Sequence, residues 1–179
     1  KGLVDFIATT IDNPRELAVN STFPDLNGHW VAPFIEAVYE KGLISGFPDG
    51  TFAPEAPITR AEYAAIVSKT FQLPLNNKNR IFTDISSKFW AASAIYQSAG
   101  MGFISGFPDG SFRPNQNLTK AQAIVSIVSG LKLKGGNPNI LAMYSDRAQI
   151  PSYATNAMAI ATQKLLVVNY PQTEYLEPL

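Results

Sequence analysis

The sequence predicts a mainly α protein built from tandem helix–loop–helix units, the third of them truncated. Three observations predict it. Ser45-Gly46-Phe47-Pro48-Asp49-Gly50 recurs letter for letter as Ser105-Gly106-Phe107-Pro108-Asp109-Gly110, 60 residues further on. Apolar residues ahead of each copy recur at helical spacing. Each copy is followed by a Thr-x-x-Glu or Thr-x-x-Gln capping box, which marks a helix start. A repeat of this kind sets the architecture before any single site does, and it points away from a one-of-a-kind active site.

The first unit opens with Phe23-Pro24-Asp25, which returns as Phe82-Thr83-Asp84 and as Tyr144-Ser145-Asp146. Trp30, Val31, Phe34, Ile35 and Val38 then form an apolar helical stripe. Pro33 is tolerated in the first turn, and Gly42 is placed to end the helix. Ile44 to Phe52 reads as a compact loop around Pro48-Asp49-Gly50, with Phe47 and Phe52 expected to face inward. Thr59 and Glu62 form the capping box of the second helix, whose buried face is read as Tyr63, Ile66, Val67 and Phe71.

The second unit repeats this with Trp90, the loop around Asp109-Gly110, and the box Thr119 to Gln122. Its second helix has an apolar face of Ile124, Ile127, Val128 and Leu131. The third unit has Tyr153 in the place of Trp and a first helix over roughly 154–165. In its loop Asn169 stands for the first glycine, a position expected to be left-handed. No further Thr-Arg-Ala-Glu follows before Leu179.

The boundaries predicted are 1–20 as an N-terminal segment, 21–74 as repeat one, 80–133 as repeat two and 142–179 as a partial repeat three. Pro74 to Arg80 and Lys134 to Asn139 are the connectors. One unit has too small a core to stand alone, and three helix pairs around a pseudo-threefold axis would share one. Leu3, Val4, Ile7 and Ile11 suit a short amphipathic helix that would fill the place of the missing last helix, within the chain or in a neighbouring copy. Self-association through the incomplete third repeat is the corresponding expectation.

Composition narrows the function. The chain has 179 residues, 46% of them hydrophobic, and carries 14 basic and 14 acidic side chains. That balance argues against a general electrostatic grip on nucleic acid. No apolar run is long enough for a membrane span. No secretory signal heads the chain, which reads as a mature form or an excised piece. With no cysteine and one histidine, His29, there is no basis for a disulfide, a thiolate site or a histidine-based metal site. No cofactor is expected. No nucleophile–base constellation appears, so an enzyme acting on envelope glycans is the weakest reading.

The feature that asks for a ligand is a cation at the first position of a helix. Arg60 and Lys120 follow their Thr caps, where the helix N-terminus is already positive. Free N–H groups and a cation together make an anion site. The alternative is that these side chains neutralise Asp49 and Asp109 or lie in solvent. Trp30 and Trp90 are read as core, with sugar stacking as the alternative. Asp49 and Asp109 are read as turn formers rather than paired acids, and no calcium-loop pattern surrounds them. His29 is read as a helix-start contact, and Glu36 and Lys41 as ordinary solvated charges.

From Phe23 to Glu62, and again from Phe82 to Gln122, the order resembles the S-layer homology (SLH) repeat. It runs Phe-Pro-Asp, aromatic, Gly-Leu-Ile-Ser-Gly-Phe-Pro-Asp-Gly-Thr-Phe-x-Pro, then Ile-Thr-Arg-Ala-Glu. The likeness extends more weakly through 144–178. It implies a helical pseudo-threefold module used three repeats at a time. It also implies non-covalent anchoring at the bacterial cell envelope, whether cell surface or periplasm. The polymer implied is an acidic, sometimes pyruvylated, cell-wall or peptidoglycan-linked polysaccharide. Carried over by position, the binding residues are Arg60, Gly46, Asp49 and Gly50 in one copy, and Lys120, Gly106, Asp109 and Gly110 in the next. Trp30 and Trp90 complete the candidate set. Lys120 in place of Arg loses the bidentate fork, and Gln172-Thr173 stands where Asp-Gly is expected. The competing reading is an envelope assembly module that binds protein and no sugar.

Overall fold

The computed structural model describes residues 21–76, 81–167 and 172–179. The helix expected within 1–20 and the left-handed position expected at Asn169 lie outside these residues. The fold is helical, with no strand among the described residues. Among the described residues five α-helices succeed one another: α1 (Ala32–Glu40), α2 (Arg60–Thr70), α3 (Ala92–Met101), α4 (Lys120–Gly130) and α5 (Thr155–Gln163).

The first helix of each repeat is stopped by a left-handed residue. Gly42 (φ 65°) and Gly102 (φ 90°) do this after α1 and α3. The chain then folds back, with Leu43 N–H donating to Val38 C=O at 3.1 Å and Phe103 N–H to Ser98 C=O at 3.1 Å. After α5 the same bond runs from Leu166 N–H to Ala161 C=O at 2.9 Å, but the left-handed residue is Leu165 (φ 55°). A side chain there costs about 1–2 kcal/mol. The second helices α2 and α4 open with complete capping boxes, Thr59 with Glu62 and Thr119 with Gln122, as the sequence predicts.

An aspartate clamps the loop in all three copies. Asp84 accepts from Phe112 N–H and Arg113 N–H, both at 2.7 Å. Asp25 does the same for Phe52 and Ala53, and Asp146 for Leu176 and Glu177. The second clamped residue is left-handed each time: Ala53 at φ 56°, Arg113 at 58° and Glu177 at 50°. Three different side chains hold a conformation that favours glycine, so the carboxylate offsets a real backbone cost. Since Leu176 rather than Tyr175 takes the place of Phe112, the third loop is one residue longer than the second.

The loop glycines serve two separate needs. Gly50 (φ 86°) and Gly110 (φ 81°) occupy left-handed turn positions. Gly46 and Gly106 do not, and their requirement is close approach. A Cβ on Gly106 would sit 2.6 Å from the Phe82 ring and 2.7 Å from Ser111 C=O, and Gly46 is in the same position against Phe23 and Thr51.

Packing divides the chain between Ala56 and Pro57. In the first body Phe23, Leu26, Ala32 and Ile35 form a small core, with Phe52 packed against it. In the second body α2 packs on α3 and α4 on α5. The second helix of one repeat is therefore the packing partner of the first helix of the next, out of step with the sequence repeat. Ala64, Ile95, Met101 and Phe112 centre the α2–α3 core, and Ala121, Met158, Ala159 and Leu176 the α4–α5 core.

Four expectations are corrected by this packing. Phe47 is 49% exposed, because the loop turns its second aromatic inward and not its first. Ile66, Phe71, Ile127 and Leu131 are only partly buried, while small residues such as Ala61, Ala64 and Ala121 are fully buried on the same helices. Trp90 is 65% exposed rather than core. Glu36 is not a free surface charge, since it accepts from Ser21 Oγ and, at 2.7 Å, from Thr22 N–H.

Candidate functional site

The N-terminus of α2 is already occupied. Arg60 N–H donates to Gln116 C=O at 2.9 Å and Ala61 N–H to Pro114 C=O at 3.0 Å. The free donors expected there are consumed by the strand of chain that follows the second loop. The guanidinium continues the pattern. Nε donates to Phe112 C=O at 2.8 Å and Nη2 to Ser105 C=O at 2.7 Å. It lies over the Phe107 and Phe112 rings, 4.9 and 4.7 Å from their centroids. At 6% exposure, Arg60 neither lies in solvent nor neutralises an aspartate directly. Burial pushes its pKa down, the nearby Arg113 adds to that, and Asp84 opposes it.

Lys120 repeats the arrangement one repeat later. Its Nζ donates to Leu176 C=O at 2.8 Å, with Glu177 at 3.9 Å, and Ala121 N–H donates to Pro178 C=O. Burial lowers its pKa, while Glu177 and Asp146 pull the other way. Both cations are thus ties between successive repeats.

Beside Arg60 the second body contains a pocket of about 180 Å³. The second loop supplies Ser105, Gly106 and Phe107, α4 supplies Gln122, Val125 and Ser126, and the third repeat supplies Tyr153. Tyr153 is 58% exposed. Ser126 Oγ is held by Tyr63 Oη at 2.9 Å. Gln122 Oε1 accepts Thr119 N–H as part of the capping box. Among the described residues lining the pocket, Arg60 is the sole one with a formal charge, and none is Asp or Glu. The volume falls below the roughly 300–1,000 Å³ typical of drug-sized ligand sites. It has room for a small molecule or one unit of a polymer, and its lining combines an aromatic wall, hydroxyls, an amide and a buried cation.

Of the sequence candidates, Arg60 and Gly106 come together here. Asp109 and Gly110 belong to the neighbouring turn. Asp109 accepts from Ser111 N–H at 2.9 Å and pairs with Arg113 at 2.9 Å. The Ser111 side chain first, then its amide and Arg113, hold that carboxyl well below the usual range. Asp49 makes the same turn with Thr51, whose hydroxyl and amide lower its pKa. Both aspartates therefore act as turn formers. Trp90 does not line the pocket. Trp30 is partly buried in the first body, stacked near His29. His29 Nδ1 accepts Val31 N–H at 3.2 Å, the expected helix-start contact.

Tyr153 and Gln122 also line this pocket, beyond the binding residues that the sequence motif points to. Tyr153 was readable as the equivalent of Trp30 and Trp90, and Gln122 as the box residue of a helix beginning at a cation. Nothing in the sequence placed them at one pocket, because that depends on the staggered packing of successive repeats.

The S-layer homology domain family model matches residues 22–64 and 81–124. The cellulosome-anchoring protein of Acetivibrio thermocellus is 36% identical over 118 residues, covering 62% of this chain and 26% of that protein. A surface layer protein of Brevibacillus choshinensis is 32% identical over 125 residues, covering 63% of this chain and 11% of that protein. An amylopullulanase of Thermoanaerobacterium thermosulfurigenes is 29% identical over 172 residues, 94% of this chain and 9% of the enzyme. The chain spans about a quarter or less of these relatives' lengths.

Proposed function

We propose that this chain, which carries tandem S-layer homology domains at residues 22–64 and 81–124, is a non-covalent anchor holding an attached protein to polysaccharide of the bacterial cell envelope. The polymer is acidic, and one of its sugar units enters the pocket beside Arg60. The observation that carries this reading is the pocket's charge. A buried guanidinium has backbone carbonyls for partners, no carboxylate pairs with it among the described residues, and no acid lines the pocket. A carboxylated ligand gains from that field and a neutral one does not.

The names of the relatives support the anchoring part. One is an anchoring protein, one a surface layer protein, and the enzyme among them shares only 9% of its length with this chain. A module attached to proteins of such different kinds serves placement rather than chemistry.

Tyr153→Ala tests the site without disturbing the core, because the side chain is exposed. Co-sedimentation with purified bacterial cell walls is expected to weaken by about 1–2 kcal/mol, roughly five- to thirtyfold in Kd, with unchanged thermal stability. Binding equal to the parent chain removes the pocket from the account. A parent chain that ignores cell walls but self-associates would favour the assembly reading.

A further inference from the structure

We infer that Gln122 is the residue that sets the pocket's preference for a carboxylated ligand. This rests on the pocket being the glycan site proposed above. The argument starts from the two capping boxes. Glu62 and Gln122 hold the same place, three residues into α2 and α4. Each accepts its cap residue's backbone N–H, at 2.8 Å for Glu62 and 3.2 Å for Gln122. Capping uses one side-chain oxygen, so either residue satisfies it. The two differ in what remains. Glu keeps a negative charge, whereas Gln keeps an Nε2 with two donors.

At α4 that difference matters, because Gln122 lines the pocket together with Arg60 and Tyr153. The amide forms none of the hydrogen bonds found among the described residues through its Nε2. A glutamate at 122 would set a second formal charge, opposite to Arg60, into a small and partly enclosed space. It would repel a carboxylated sugar and satisfy Arg60 in the ligand's place. The neutral amide adds no acid to the pocket lining and offers donors to the same carboxylate. Fold and selectivity are thereby separated at one position: the cap needs the oxygen, and the ligand needs the absence of charge.

The test is Gln122→Glu, a substitution that the α2 capping box shows to be compatible with this helix start. The probe is one bacterial wall polysaccharide in two forms, native and with its carboxylates reduced to alcohols by carbodiimide and borohydride. Affinities of the full chain for both are measured by calorimetry, with thermal unfolding as the fold control. The expected result is native-polymer binding about tenfold or more weaker, binding of the reduced polymer unchanged, and stability equal or higher. Equal loss for both polymers assigns Gln122 a merely structural role and overturns the inference. Unchanged binding of the native polymer overturns it too, while leaving the pocket standing. If the unmutated chain binds neither polymer, the glycan reading itself fails and this inference with it.

Discussion

Arg60→Ala is expected to destabilise the second body by about 3–5 kcal/mol. Two charge-assisted hydrogen bonds, each worth about 1.5–3 kcal/mol, disappear, and the carbonyls of Ser105 and Phe112 lose their donor. The Phe112 ring also loses its cation, while Arg113 stays over Phe107 at 3.9 Å. Chemical denaturation of the variant measures this directly. Arg60→Lys should recover only part of the loss, because an ammonium does not reproduce the planar fork. A shift below about 1 kcal/mol for the alanine variant would contradict the placement of Arg60 as an inter-repeat tie. Reduced glycan binding by Arg60→Ala therefore cannot by itself report on ligand contact, whereas Tyr153 and Gln122 variants can.

Asp84→Ala should cost about 2–4 kcal/mol. Two N–H groups held at 2.7 Å are released, and Arg113 at φ 58° loses the carboxylate that holds its N–H, keeping only its side-chain ties to Asp109 and Ser111. Hydrogen exchange gives the local signature: the amides of Phe112 and Arg113 should lose protection before those of α3. Asp84→Asn retains an acceptor oxygen and should lose less than the alanine variant. Protection unchanged at both amides would mean that the loop holds itself.

Much of the fold was legible. The hexapeptide repeat, the capping boxes at Thr59 and Thr119, the turn aspartates and the helix-ending Gly42 all act locally, within a few residues of sequence. The staggered packing was not legible, since it depends on which apolar faces meet. Small residues such as Ala64 and Ala121 are fully buried yet carry little signal in a hydrophobic pattern. Asp25, Asp84 and Asp146 recur in all three copies, but their targets lie 27 to 31 residues away, beyond any local rule.

The site shows the same limit. Arg60 stood out because a cation at a helix start is unfavourable alone. Its real partners are carbonyls in the following repeat, which only the assembled chain supplies. Trp90 heads an apolar stripe, which predicts a core position, yet it sits before the first turn of α3 and projects into solvent. Position in a stripe predicts burial only where the helix has begun.

The most direct test of the pocket is an amide and side-chain NMR titration of the chain with short carboxylated fragments of wall polysaccharide. The account predicts the largest shifts at Ser105, Gly106, Phe107, Tyr153 and the Gln122 side-chain amide, saturating together with one Kd. Saturable binding whose shifts centre on the exposed Trp90 indole, with the pocket resonances unmoved, would contradict it.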